Sequence, residues 1–366
     1  MKKWTFATIA SITLAAHLAT PAQAAWDPFK YLMLLPDAWS RNDSVKPTTG
    51  VLATRMAAET GRITSDGDLL STGYNRNMNL LFACASEEAY QDLTVEGRTS
   101  ASGALRKEGF SELRVIAGAD GGLGAVVMEK KLSSDRRVLA IGFKGTCETF
   151  DLIYDGYGYL TSFPGGSLQV HSGFKSQMDQ FVKVEPTVRT SDGFTLNDFI
   201  YRESQKPAAQ RTRFILYGHS LGGASAKLYG ALLADRGMPV TVYTFGAPPV
   251  SQQPFVNAYK GKMALYEFYH PNDPVAQLVG ALTTLGSGIV SPAFSTLTHF
   301  PGRYYYHGPL APVFAQGEAA PDFAVPTMHH HNIWKYILYA EVDRAGNAGR
   351  DARMTAASMN ALDVFQ

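Results

Sequence analysis

The sequence has few cysteines, little net charge and no internal repeat. Its 366 residues include two cysteines, Cys84 and Cys147, so a fold held by several disulfides is excluded and at most one disulfide can form within the chain. The formal net charge of +1 gives no electrostatic indication of a nucleic-acid partner. No linker-like Gly/Ser or Pro tract divides the chain. With 45% hydrophobic residues, the sequence predicts a single globular domain with appended ends.

The first 24 residues are typical of a secretory signal peptide. A positive start is followed by an apolar stretch and by the small-residue exit Ala22-Gln23-Ala24, which predicts cleavage after Ala24. A membrane anchor is the alternative, but Thr, Ser and His17 dilute the apolar run and no charged stop-transfer cluster follows. We therefore expect an exported protein, secreted or periplasmic, with no transmembrane segment after signal cleavage.

Apolar runs after the signal peptide alternate with segments of helical length. Strands are predicted at 113–119, 123–130, 137–143, 214–217, 240–245 and 265–269, the first two as a hairpin, and a helix is predicted at 77–92. Strands that alternate with helices predict a mostly parallel central sheet with helices on both faces. We expect an N-terminal extension over 25–75, an α/β domain over 76–342 and a C-terminal tail over 343–366.

The strongest chemical signal is a serine in a glycine-rich turn. The sequence RFILYGHSLGGASAKLYGALLA runs from an apolar strand through Gly218, His219, Ser220 and Gly222 into a helix-forming segment. Such a nucleophile elbow exposes the serine hydroxyl at the carboxyl end of the sheet, and glycines beside it let the strand and helix approach closely. An ordinary glycine-rich loop is the alternative, but the strand before the motif and the helix after it favour a catalytic Ser220.

A serine nucleophile needs a base, and the base needs an acid to orient it. Asp273 follows a predicted strand, where this fold places its acid, although Asp in such a loop also stabilises a turn. His329, His330 and His331 lie at the predicted start of a late helix, where the base is expected. The three histidines could instead be a metal site or surface residues. Adjacent positions rarely converge on one ion and no cysteine or carboxylate cluster accompanies them, so we expect no metal.

Several motifs in one order resemble a known family. They are FKGT at 143–146, VHSGF at 170–174, GHSLGG at 218–223, TFGAPP at 244–249 and NDPV at 272–275. Together, over about residues 135–340, they are similar to the class 3 lipases, the family of the fungal triacylglycerol lipases and their bacterial relatives. The resemblance implies an α/β-hydrolase fold, a lipid ester substrate and no cofactor.

The resemblance also implies the roles of individual residues. Ser220 matches the family nucleophile and Asp273 the acid. The family places its histidine base five residues before a tyrosine, a spacing that His331 and Tyr336 fit, with His330 as the alternative.

The implied oxyanion hole has two backbone donors, the amides of Leu221 and Thr146. Lys144 stands where the family usually has arginine, which keeps the positive charge but loses bidentate geometry.

In the family, the segment that follows Thr146 is a lid over the active site. Here it covers 148–160, with Gly156 and Gly158 as hinges, and Asp155 is expected to brace the Thr146 hydroxyl when the lid opens. A lid that opens on lipid would make transient contact with a lipid interface. The alternative is that its apolar residues belong to the core. The apolar face of the segment is formed by Phe150, Leu152, Ile153 and Tyr154.

A second apolar segment, 278–300, is too broken by Gly and Pro to span a membrane. It either lines an acyl pocket or is a buried structural excursion.

The sequence thus predicts an exported serine hydrolase that cleaves lipid esters, an acylglycerol lipase. Phospholipase A1 or acyltransferase activity with the same triad stays open, as does a non-catalytic binding protein that keeps the fold.

Overall fold

The computed structural model describes residues 62–92, 103–116, 124–132, 136–145, 159–271, 273, 275–277, 296–307, 313–316, 331–333, 335–337, 339–340 and 343–344. Twelve strands and seven α-helices lie wholly within these ranges, and residues 335–337, 339–340 and 343–344 are also helical. The strands are β1 (Ser111–Ile116), β2 (Ala125–Lys131), β3 (Arg137–Phe143), β4 (Leu160–Ser162), β5 (Gln169–His171), β6 (Arg213–His219), β7 (Val240–Phe245), β8 (Ser251–Gln252), β9 (Ala264–Tyr269), β10 (Leu297–Thr298), β11 (Tyr304–His307) and β12 (Val313–Gln316). The helices are α1 (Asp66–Leu70), α2 (Arg76–Asp92), α3 (Gly103–Lys107), α4 (Ser172–Val184), α5 (Leu196–Ser204), α6 (Leu221–Asp235) and α7 (Gln253–Tyr259).

Eight strands of the described ranges form the central sheet, in the order β1-β2-β3-β6-β7-β9-β11-β12. The pairs from β3 to β11 are parallel, whereas β1, β2 and β12 join the edges in antiparallel pairs. The predicted mostly parallel sheet is therefore confirmed. The predicted hairpin is the antiparallel β1–β2 pair, and its strands begin two residues from the predicted positions.

Both faces of the sheet are covered because its inner strands are apolar on both sides. In β6, Phe214 and Leu216 point into a core layer that includes α6 residues, whereas Ile215 and Tyr217 point into a second layer that includes α2 residues. The whole of β6 is buried. This strand leads directly into Ser220, so the sheet fixes the position of the elbow.

A small second sheet with the order β10-β8-β5-β4 was not predicted from the sequence. Its strands have only two or three residues, too few for an alternating pattern to be recognised. It is attached to the core through aromatic side chains. Phe163 packs edge-on against Phe255, with ring centroids 5.0 Å apart, and Phe300 packs on Phe255 at 6.3 Å.

The described part of the N-terminal extension packs on the domain. The Glu108 carboxylate accepts hydrogen bonds from the backbone amides of Ile63 and Thr64 at 2.7 and 3.1 Å. Tyr74 donates a hydrogen bond to the buried carboxylate of Asp343, the first residue of the expected tail. Residues on both sides of the expected domain 76–342 therefore pack against it.

Within the residues described, no helix combines the length and the apolar character that a membrane crossing requires. The predicted signal peptide lies outside the described residues.

Candidate active site

Ser220 lies in the sharp turn between β6 and α6. Its backbone has φ 57° and ψ −127°, and it is the one residue other than glycine with positive φ among those the structure describes. A side-chain-bearing residue in this region costs about 1–3 kcal/mol, which the surrounding structure must offset. The strain turns the Ser220 side chain out of both the strand and the helix, as a nucleophile elbow requires.

Glycines on both sides of Ser220 make the turn possible. A Cβ atom at position 218 would lie 2.4 Å from the carbonyl carbon of Gly222, and one at 222 would lie 2.1 Å from the carbonyl oxygen of Phe143. Backbone atoms at these distances cannot move aside without displacing β3, β6 or α6. The elbow therefore depends on glycine at Gly218 and Gly222, which sequence reasoning identified.

The start of α6 provides a site for negative charge beside Ser220. Leu221 is the first residue of the helix, so no carbonyl within the helix can accept its N–H. The positive end of the helix dipole lies at the same place. The described position of Leu221 thus suits the oxyanion donor that the resemblance implies.

Asp273 is fully buried, and its carboxylate both closes a turn and binds an imidazole. Its Oδ1 accepts hydrogen bonds from the amides of Val275 and Ala276 at 2.8 and 3.1 Å. Its carboxylate also accepts from His331 Nδ1, at 3.0 Å to Oδ1 and 2.9 Å to Oδ2. The turn interpretation and the acid interpretation of Asp273 are therefore compatible, because the turn aims the carboxylate at the imidazole.

Tyr336 is a further hydrogen-bond partner of the Asp273 carboxylate. In the sequence, Tyr336 served only to mark the spacing from the histidine base. Its hydroxyl donates to Asp273 Oδ2 at 2.6 Å and accepts from the backbone amide of His270 at 3.2 Å. Burial raises the pKa of the Tyr336 phenol well above its ordinary value, and the neighbouring Asp273 charge adds to this effect. The phenol therefore stays protonated and binds Oδ2, the carboxylate oxygen that the turn amides do not contact.

His219 supports His331 through its backbone. His219 Nε2 lies 2.6 Å from the carbonyl oxygen of His331, and because a carbonyl can only accept, this nitrogen carries the proton. The two imidazole rings are 4.5 Å apart. Burial keeps the pKa of His219 well below its ordinary value, with the charge of His331 acting in the same direction. A neutral His219 therefore adds no charge next to the candidate base.

Two atoms of the site are buried without a hydrogen-bond partner in the described part of the chain. They are Ser220 Oγ and His331 Nε2. A buried polar group without a partner costs about 1–3 kcal/mol, so the presence of two of them in one site calls for an explanation. A hydroxyl and an imidazole nitrogen of this kind are the two atoms that a serine mechanism brings together.

The loop after β7 brings these parts together. Ser220 N donates to the carbonyl of Phe245 at 2.9 Å, and Gly246 follows at φ 58°. A Cβ atom at 246 would lie 2.7 Å from Asp273 Oδ2 and 3.1 Å from His331 Nδ1. The side chains of the candidate acid and base therefore both pack against Gly246, next to the elbow.

Other predicted site residues lie outside the described residues. These are Thr146, the lid residues Phe150, Leu152, Ile153, Tyr154 and Asp155, and the alternative bases His329 and His330. Cys147 also lies outside, so its pairing with Cys84 stays open. Of segment 278–300, the described end is structural, since Leu297 and Phe300 are buried in the core. The described ranges hold no cluster of three or more His, Cys, Asp or Glu side chains that could bind a metal ion.

Comparison with known proteins shows a similarity to one family over part of the chain. Residues 140–283 match the class 3 lipase family, and this range includes the elbow and Asp273 but ends before His331. A secreted mono- and diacylglycerol lipase of Fusarium solani is 27% identical over 165 residues, which are 44% of this chain and 45% of the relative. The chain therefore spans less than half the length of this curated relative.

Two solved structures have a similar fold at low sequence identity. The Rhizomucor miehei lipase propeptide complex is 19% identical with a TM-score of 0.50, and the match covers 72% of this chain and 78% of that one. A lipase from Yarrowia lipolytica is also 19% identical with a TM-score of 0.50, covering 70% of this chain and 93% of that one. These similarities and the central sheet confirm the predicted α/β-hydrolase fold. Residues 140–283 of the chain are thus similar to the class 3 lipase family.

Proposed function

We propose that the chain is a serine carboxylic ester hydrolase that acts on lipid esters, with Ser220, His331 and Asp273 as its triad. The observation that carries the proposal is the buried His331–Asp273 hydrogen bond at 2.9 Å beside a serine in an elbow conformation. The match of residues 140–283 to the class 3 lipase family supports the same reaction class.

In the proposed mechanism, His331 Nε2 takes the proton of Ser220 as its Oγ attacks the ester carbonyl. Asp273 holds the proton on His331 Nδ1 and stabilises the imidazolium that forms. Because both reacting atoms lack other partners among the described residues, no existing hydrogen bond between them and those residues has to break first. The imidazolium then gives its proton to the departing alcohol, which leaves an acyl group on Ser220.

Water completes the proposed cycle. His331 accepts a proton from the water molecule as its oxygen attacks the acyl-enzyme, and the carboxylic acid leaves as the proton returns to Ser220. The amides of Leu221 and Thr146 stabilise the negative oxygen in both steps, and loss of one such donor typically costs about a hundred- to a thousandfold in rate. Every step uses side chains and backbone of the protein.

The proposed substrates are acylglycerols, in line with the name of the Fusarium solani relative. Contact with a lipid interface through 148–160 belongs to the same proposal. We further propose that residues 1–24 direct export, with secretion and periplasmic retention as the two destinations, and that 25–75, 76–342 and 343–366 are the extension, catalytic domain and tail.

A substrate panel with matched variants tests the proposed function. The purified protein, Ser220→Ala and Ser225→Ala are assayed on mono-, di- and triacylglycerols and on phosphatidylcholine. Ser225 is a fair control because it is buried on the same helix and its hydroxyl contacts Gln177 at 3.2 Å, away from the triad. We expect Ser225→Ala to keep the parent's rates and Ser220→Ala to lose about 10⁴-fold or more in kcat.

The outcomes separate the candidate functions. Preference for acylglycerols supports the lipase, and faster release of the sn-1 fatty acid from phosphatidylcholine supports phospholipase A1. Acyl transfer to an added alcohol in preference to water supports an acyltransferase. Absence of turnover on every ester contradicts the enzyme proposal and favours a binding protein.

A further inference from the structure

The turn that carries Asp273 is attached to a second buried side chain. Asp273 Oδ1 accepts a hydrogen bond from the amide of Ala276 at 3.1 Å, and the carbonyl of the same residue lies 2.8 Å from His299 Nε2. A single residue of the turn thus connects the candidate acid to His299. His299 lies near the end of segment 278–300, and it was not identified from the sequence.

His299 has an acceptor on each side. Its Nδ1 lies 2.7 Å from Glu267 Oε1, an oxygen that also accepts from Lys227 Nζ at 2.9 Å. Burial lowers the pKa of His299 below its ordinary value, and the neighbouring Glu267 carboxylate offsets this only in part. Because the carbonyl of Ala276 can only accept, His299 Nε2 carries a proton and donates it in this contact.

Lys227 connects this cluster to the helix of the nucleophile. It lies seven residues after Ser220, about two turns along α6. Its ammonium group also donates to the carbonyl of Pro248 at 2.7 Å, in the loop after β7. Burial opposes ionisation of Glu267, but the charges of Lys227 and His299 outweigh it and lower the pKa of this carboxyl. One ionised carboxylate therefore holds α6, β9 and the His299 segment together.

A buried ion pair is not needed for stability alone. Lys227 and Glu267 side chains are 1% and 2% exposed, and apolar residues of similar volume at such positions are often as stabilising or more so. Ion pairs and hydrogen bonds also fix the orientation of the groups that they join.

We propose that Lys227, Glu267 and His299 form a positioning network for the acid of the triad, in which His299 holds Ala276 and so sets the direction of the Asp273 carboxylate. The inference rests on the proposed function. His299 and Glu267 touch no reacting atom in this scheme, so they act through Asp273.

Two amide substitutions at 299 separate positioning from packing. In His299→Gln the side-chain amide reaches the place of Nε2 and can still donate to Ala276, whereas in His299→Asn it reaches only the place of Nδ1, facing Glu267. We expect His299→Gln to keep kcat on an acylglycerol within about threefold. His299→Asn and His299→Ala should lower kcat about 10- to 100-fold with KM unchanged, since small misplacements of catalytic groups can cost about 100-fold. Melting temperatures are measured for all three.

Equal kcat values for His299→Asn and His299→Gln overturn the network, as does a loss that appears only in KM. If the variants at position 299 are insoluble, Glu267→Gln gives the second test. We expect a three- to tenfold loss in kcat with unchanged KM, and a parental kcat for this variant overturns the inference. A parent that hydrolyses no ester contradicts the proposed function and this inference together, whereas an active parent with indifferent variants contradicts only the inference.

Discussion

Replacing Tyr336 with Phe removes one oxygen and should affect both stability and turnover. The hydroxyl donates to Asp273 Oδ2 at 2.6 Å and accepts from the amide of His270 at 3.2 Å, so its loss leaves two buried groups with one partner fewer. The ring can stay in place, packed against Phe245 and His219. A hydrogen bond to a charged group contributes about 1.5–3 kcal/mol, so we expect the melting temperature to fall by about 3–6 °C.

The effect of Tyr336→Phe on turnover should be moderate. Asp273 keeps the amides of Val275 and Ala276 and the imidazole of His331, so the carboxylate stays in place but is held less tightly. We expect kcat to fall about 3- to 10-fold, equivalent to roughly 1 kcal/mol of transition-state stabilisation, with KM unchanged.

Tyr259→Phe is the matched control for that experiment. Tyr259 is buried and also donates its hydroxyl to a carboxylate, that of Asp235 at the far end of α6, about 20 Å along the helix from Ser220. It should lower the melting temperature without changing kcat. Parental stability and parental kcat for Tyr336→Phe, or an equal loss of kcat in both variants, would refute the role assigned to Tyr336.

Two other predictions concern the loop after β7 and the acid stability of the fold. Gly246→Ala should lower kcat more than 100-fold, because its Cβ would lie 2.7 Å from Asp273 Oδ2 in a backbone at φ 58°. Gly166→Ala is the control, because open space surrounds that position and kcat should not change. Similar activities of the two variants would contradict the packing described. Burial lowers the pKa of His171 from 6.5 to about 4. Between these pH values the imidazole is protonated in the unfolded chain but neutral in the folded one. The free energy of unfolding therefore decreases as the pH is lowered from 6.5 to 4, by up to about 3 kcal/mol. Thermal melts of the parent and His171→Gln across this range check it: a parent no more sensitive to acid than the variant would show that His171 is not the cause.

The elements that carry the site could be predicted because their signals are local. The run before Ser220 is apolar throughout, and the glycines at 218 and 222 are needed for close approach of backbones, which leaves a clear mark in the sequence. Asp273 and His331 could be located by chain order and family spacing, and the structure brings their side chains to 2.9 Å.

What was missed depends on contacts between distant positions. The bond from Tyr336 to Asp273 spans 63 residues, and that from Lys227 to Glu267 spans 40, with no pattern in the sequence that pairs them. A buried Lys or Glu looks like a surface residue in a sequence, because charged residues are usually exposed. The small sheet escaped prediction for a different reason, since strands of two or three residues are defined by their partners.

The most direct test of the account is the site at which an active-site-directed fluorophosphonate reacts. We predict that the intact protein gains one phosphonyl group, that peptide mapping places it on Ser220, and that His331→Ala reacts at least 100-fold more slowly, because the hydroxyl then lacks its base. No labelling of active protein, or a label on another residue with undiminished reaction of Ser220→Ala, would contradict the claim that this elbow carries the nucleophile.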